Sequence, residues 1–274
     1  MNVTRTDAAA VPGSVRLRLE GVGFWREDRR ILSGIDWEVR AGEHWAILGP
    51  NGSGKTTLIM IATGYQPSSA GRVYVIDGYI SEVVLPRVRE RVALASAALS
   101  ETMLERRRHT TGLEVVLSGR YASLGLFAAP SPELLARARS ILAQLGADHL
   151  AEVPFARMST GQRQLCMLGR CQMAQSLLVV LDEPCAGLDL AARETLLAAI
   201  RRGCDSTTTP QVLVTHHPEE IVPGITHVLL LRAGAIVAQG PRETVLNEEQ
   251  LTRTFGLPLR VLHEAGRVWV IPRS

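Results

Sequence analysis

The sequence predicts an α/β fold in which a mixed, mainly parallel sheet carries an N-terminal antiparallel β subdomain and an inserted helical subdomain. Three observations lead there. Short apolar runs bounded by glycine and charge recur along the chain, at lengths that suit strands. Helix-forming segments alternate with many of them, the arrangement that gives a parallel sheet covered on both faces. One stretch of roughly eighty residues, between "RVALA" and "LLVVLD", is dominated by helix formers and reads as an insertion.

Residues 1–14 contain "TRTDAAAVPGS", lack the apolar centre of a secretion signal, and predict a flexible tail. Strands are predicted at "VRLRLEGVGF", "IDWEV", "HWAIL", "RVYVI" and "RVALA", then at "LLVVLD", "QVLVT", "HVLLLR" and "AIVAQG". Within the insertion, Pro130-Ser131-Pro132 starts a helix and Gly146 ends it. From 241 to 274 the pattern predicts an extension packed on the core, with a short helix at "EEQLTRTFG" and two strands turned at Ala265-Gly266.

The 274 residues suffice for one large domain or a domain plus subdomain. With 30 basic against 27 acidic side chains, the balance of +3 argues against a global affinity for nucleic acid or for a membrane surface. No apolar run approaches the roughly 18 to 20 residues of a spanning helix, so a membrane role requires a partner chain. Cys166, Cys171, Cys185 and Cys204 form no CxxC pair and read as small buried thiols. The basic cluster "ERRRHT" has no interleaved aromatic residues and reads as a solvated helix face rather than a nucleic-acid patch.

"GPNGSGKTT", Gly49 to Thr57, fits G-x-x-x-x-G-K-[ST] and lies between the strand "HWAIL" and the helix-like "TTLIMIAT". This defines a P-loop NTPase core. Gly49, Gly52 and Gly54 are expected to turn the loop so that N–H groups around Asn51, Ser53 and Thr57 face phosphate oxygens. Lys55 is expected to reach the β- and γ-phosphates of ATP, and Thr56 to offer its hydroxyl to Mg²⁺. The apolar run "LLVVLDE" delivers two acids to the carboxyl end of a buried parallel strand. There Asp182 would hold Mg²⁺ through its hydration shell, and Glu183 would act as general base towards the attacking water.

"VTHHPEE", Val214 to Glu220, sets two histidines beside two acids. In an extended segment, successive side chains point to opposite faces, which argues against one metal bound by both imidazoles. Pro218 suits the first position of a helix, and Glu219 and Glu220 then suit its positive end.

With these motifs in place, the sequence resembles the ATP-binding subunits of ABC transporters, of the prokaryotic single-domain kind. "MSTGQRQ" is similar to the family signature LSGGQ at Ser159, Gly161 and Gln162, with Thr160 replacing a glycine and Met158 a leucine. "AGLD" resembles the family's D-loop and assigns Asp189 to it. The resemblance implies an ATPase domain over 15–240, with a helical subdomain at approximately 98–164. It also implies a sandwich of two copies, in which Ser159, Gly161 and Gln162 of one cover the γ-phosphate bound by the other. It selects His216 as the γ-phosphate sensor, so the expected catalytic set is Lys55, Glu183 and His216.

Two positions depart from the family pattern. A glutamine that touches Mg²⁺ usually follows the strand corresponding to "RVALAS", where this chain has Ala97, so water, Ser96 or Ser100 would have to replace it. The aromatic residue that stacks on adenine falls nearest Arg26; Trp25 is the aromatic candidate and Phe24 reads as core. The implied partners are a second copy, separate transmembrane permease subunits and a solute-binding protein, with the chain cytoplasmic on the inner face of the membrane. The tail "EEQLTRTFGLPLRV" resembles those of importers of iron complexes. The alternative is a soluble ATPase of the same family acting on a cytosolic or ribosomal partner.

Overall fold

The computed structural model describes residues 13–125 and 129–273; all but two positions of the tail expected at 1–14 lie outside the described residues. A hairpin of β1 (Val15–Arg26) and β2 (Arg29–Arg40) leads into β3 (Trp45–Leu48), α1 (Lys55–Ala62), β4 (Ala70–Val75), β5 (Gly78–Tyr79), α2 (Leu85–Glu90) and β6 (Val92–Ser96). Next come α3 (Ala97–Arg106), α4 (Gly112–Ser118), α5 (Pro132–Gln144) and α6 (Thr160–Met173). The chain returns through β7 (Leu178–Asp182), α7 (Leu190–Ser206), β8 (Gln211–Thr215), β9 (His227–Arg232), β10 (Ala235–Pro241), α8 (Arg242–Val245) and α9 (Glu248–Phe255). It finishes with β11 (Leu259–Glu264) and β12 (Arg267–Pro272).

Six strands form the main sheet in the order β10-β9-β3-β8-β7-β6, all parallel except β10. A second, antiparallel sheet runs β2-β1-β4-β5. The apolar runs make β3, β7 and β8 because each is buried on two sides: Val214 points into one core cluster and its neighbour Leu213 into the other. The first cluster fills the space between the sheets with Leu17, Ile35, Trp37 and Ile47, closed by Leu58 and Ile61 of α1. On the opposite face Val116, Leu142, Met167 and Leu197 pack beneath Leu181 and Leu213.

Helix ends follow local chemistry. Ser131 caps α5 by accepting from Leu134 N–H, Pro132 occupies its first turn, and Gly146 leaves it at φ 68°. The helix α2 and the short β5 carried no pattern strong enough to predict them; α2 holds only one buried residue, Val88. All four cysteines are free and buried.

His44, just before β3, is a polar residue enclosed at the sheet's lower edge. Its Nδ1 accepts from Gln211 N–H at 3.2 Å, and its carbonyl accepts from Thr226 and His227 N–H. Burial lowers its pKa below the usual 6.5, so the folded protein keeps the ring neutral. The unfolded chain binds this proton more readily, and the stability His44 contributes is present above pH 6.5 and lost as pH falls below it. Thermal unfolding between pH 7.5 and 5 should therefore show a shallower decline for His44→Gln than for the wild type.

Candidate active site

The site assembles where β3, β7 and β8, adjacent in the sheet, end at one edge. After β3 the chain enters the loop 49–54, whose glycines serve different purposes. Gly52 and Gly54 hold φ at 75° and 104°, in the region other residues avoid. Gly49 does not. A Cβ there would sit 2.0 Å from the carbonyl oxygen of Leu231, so this glycine permits the loop to press against β9. Gly54 begins α1 without a side-chain cap, which leaves the helix's first N–H groups for an anion. Asn51 and Thr56 are exposed, Thr57 half-buried, and Ser53 Oγ is buried with no hydrogen-bond partner.

Lys55 is 5% exposed, and its ammonium lies over its own loop, 2.9 Å from Gly49 O and 3.2 Å from Pro50 O. It also stands 3.4 Å from Glu183 Oε1. Glu183 follows β7 with a left-handed φ of 50°, a strained setting for a residue with a side chain, held by its N–H bond to Val214 O at 3.0 Å. The other carboxylate oxygen, Oε2, meets His216 Nδ1 at 2.7 Å. One carboxylate thus joins Lys55 and His216, residues 161 positions apart in the chain (216 − 55).

Asp182, the last residue of β7, pairs across the sheet with Ser96 and Val214 and is 7% exposed. Burial pushes its carboxyl up to about 6, against the pull of the Thr56 hydroxyl. Its Oδ1 has no hydrogen-bond partner. A buried, unpaired acid oxygen beside a hydroxyl is a donor set that fits a hard divalent cation, as the expectation for Thr56 and Asp182 requires.

The two histidines depart from the extended geometry. Their rings do not diverge: the centroids are 4.0 Å apart, tilted by 42°. The chain bends here because Thr215 Oγ1 accepts from His217 N–H at 3.0 Å and Pro218–Glu220 form a single 3-10 turn. Each ring nevertheless has its own acid, His216 with Glu183 and His217 with Glu219 Oε1 at 3.3 Å. Pro218 and the two acids do open a helix, a single 3-10 turn, but Glu220 faces inward rather than towards solvent. It is 3% exposed, bonds the Thr215 hydroxyl, and has its pKa raised by burial.

The remaining expected residues lie apart from this cluster. Ser159 caps α6 in a reciprocal box, accepting from Gln162 N–H at 3.3 Å while Gln162 Oε1 accepts from Ser159 N–H at 2.9 Å. Gly161 faces Ala192 of α7, where an added Cβ would come within 3.0 Å. Asp189 caps α7 through Ala192 N–H at 2.9 Å. Among the described residues, no hydrogen bond or ion pair ties Ser159, Gly161, Gln162 or Asp189 to Lys55, Glu183 or His216.

Trp25 is 40% exposed at the end of β1, its ring lying over Gly23, with the Arg30 guanidinium 5.4 Å from the ring centre. Phe24 packs against the inter-sheet core. Ala97 opens α3 behind its cap Ser96, whose hydroxyl accepts from Leu99 N–H at 3.2 Å; Ser100 is buried in the same helix. Sequence reasoning overlooked Thr215, which lies inside "VTHHPEE" and shapes the histidine turn, and Arg267, which touches the turn from the C-terminal hairpin and stands in no local motif.

Comparison with known proteins gives the family and the fold. The family model for ABC transporters matches residues 32–186. The chain is 35% identical over 253 residues to the uncharacterised ABC transporter ATP-binding protein YlmA of Bacillus subtilis (strain 168), covering 92% of this chain and 95% of the relative. It is 29% identical to the hemin import ATP-binding protein HmuV of Rhodococcus jostii (strain RHA1), covering 98% and 91%. A solved structure of a transporter described as metal-chelate type, in an inward-facing conformation, superposes with a TM-score of 0.75 at 25% identity, covering 95% of this chain and 98% of that one. The chain belongs to the ABC transporter family, as one of its ATP-binding ATPases.

Proposed function

We propose that this protein binds Mg-ATP, closes on a second copy of itself around two nucleotides, and hydrolyses them to drive separate transmembrane permease subunits in nutrient import. The observation that carries the reading is the single carboxylate of Glu183 set between Lys55 and His216. ATP phosphates would enter over the uncapped start of α1, drawing Lys55 from the carbonyls it now contacts. Glu183, relieved of Lys55, accepts a proton from water, and His216 holds that carboxylate in place through Nδ1. Asp182 and Thr56 would hold Mg²⁺, which when bound supplies positive charge to the phosphate oxygens.

Each chain carries one phosphate loop and one Ser159-capped helix, and these do not meet within the chain. A second copy would bring the α6 start, with Gly161 and Gln162, over the γ-phosphate, and Asp189 beside it. Trp25, exposed at the end of β1, would stack on the adenine. Relatives named as hemin and molybdate import proteins favour import, with a solute-binding protein as a further partner, over the soluble-regulator alternative.

The two histidines give the test. His216→Ala should reduce phosphate release about a hundredfold, and His217→Ala only a few-fold, because His216 alone contacts Glu183. Equal losses, or a wild-type chain that releases no phosphate, would reject this reading.

A further inference from the structure

The histidine turn is held from outside by the end of the chain. Arg267, the first residue of β12, is largely buried and donates through Nε to the carbonyl of Glu219 at 2.5 Å. Its Nη1 is anchored by Glu194 Oε2 of α7 at 2.6 Å, and its guanidinium lies 5.3 Å from the Trp269 ring centre. A second arginine ties the hairpin to the segment that follows the turn: Arg242 donates to Val222 O at 3.3 Å and to Gly266 O at the tip of the hairpin. Glu219, whose carbonyl Arg267 grips, carries the carboxylate that pairs with His217, and Arg193 of α7 stands 3.9 Å from that carboxylate. His217 lies against His216, and His216 against Glu183. A chain of contacts, polar except where the His217 ring lies against that of His216, therefore runs from the C-terminal hairpin to the carboxylate at the phosphate loop.

We propose that Arg267 is a positioning residue for hydrolysis: from the C-terminal hairpin it fixes the 216–219 turn so that His216 stays on Glu183. The inference rests on the hydrolysis reading above. A guanidinium suits the task because its planar fork binds a carbonyl and a carboxylate on two elements at once, which an ammonium does with less directional control. The interior of the turn cannot hold itself in this way. Its own bonds, Glu220 to Thr215 and His217 N–H to Thr215, fix the bend, while the outer carbonyl of Glu219 is held by Arg267.

The test uses the full chain with Arg267→Met, which keeps much of the aliphatic bulk and removes every donor. The kcat for ATP hydrolysis should fall about tenfold with KM for ATP within about twofold, since a small displacement near the reacting groups affects chemistry more than binding. In a His216→Ala background, followed by single-turnover release of labelled phosphate, the same substitution should change the rate less than about twofold. The ring-nitrogen NMR resonances of His216 and His217 should shift in R267M. E194Q, which spares the hairpin, should lower kcat about threefold in the same pattern.

An equal fold-loss in both backgrounds, an unchanged kcat, or unmoved histidine resonances would overturn the positioning role. If R267M does not fold, E194Q decides by the same criteria. A wild type that binds ATP without hydrolysing it rejects the function proposed above, and in that case the resonances alone decide whether Arg267 positions the rings.

Discussion

Glu183→Gln should lower steady-state ATP hydrolysis about a thousandfold while ATP binding persists. The carboxamide keeps the length of the side chain and an oxygen for Lys55, so the phosphate loop need not rearrange. It cannot take a proton from water. Because the left-handed backbone at Glu183 and its bond to Val214 O fix where the side chain starts, no neighbouring acid can swing into its place. Asp182 is turned into the sheet edge beside Thr56. With hydrolysis blocked and binding intact, ATP should shift the variant towards a dimer, visible by size-exclusion chromatography with ATP in the buffer. Hydrolysis at the wild-type rate would remove Glu183 from the role of base.

Asp182→Asn is expected to lower Mg-dependent hydrolysis by a similar factor, about a thousandfold, because the amide loses the charge a divalent cation requires. Its effect on the nucleotide-free protein runs the other way. The folded carboxyl is raised to about 6 from 3.8, so its ionised form is disfavoured on folding; the protonated acid's advantage holds below pH 3.8 and is lost as pH rises through 6. At pH 7 the neutral amide should leave the nucleotide-free chain more stable, by on the order of 1 kcal/mol once the burial of the amide itself is set against it. Thermal unfolding at pH 7 and at pH 3.5 checks this. A variant less stable than wild type at pH 7 would show that Oδ1 is not an unrelieved buried charge.

Much of the fold can be read from local sequence because its causes are local. Strands β3, β7 and β8 of the main sheet are continuous apolar runs because both faces are covered, and Ser131-Pro132 with Gly146 delimits α5 within a single helix. The phosphate loop is equally legible, since its glycines and Lys55 are contiguous. The two acids at the end of β7, Asp182 within it and Glu183 just past it, announce themselves as polar groups ending an apolar strand. What could not be read depends on how the backbone bends locally and on residues far apart in the chain. The rings of His216 and His217 face each other because a threonine hydroxyl and a 3-10 turn bend the backbone, and alternation assumed a straight segment. Glu220 looked like a helix-start acid, but it is the inward partner of Thr215. Arg267 lies 48 residues from the carbonyl it binds, in a hairpin whose sequence reports only its own pairing. The separate purposes of the glycines were also hidden: Gly49 is required by the carbonyl of Leu231, 182 residues later (231 − 49) on β9.

The contact between Lys55 and Glu183 makes the resting protein an interlock. On the function proposed above, the group that would grip phosphate and the group that would activate water occupy each other, so an arriving phosphate would compete with the carboxylate for the ammonium. The event that seats the nucleotide would then also set the base free.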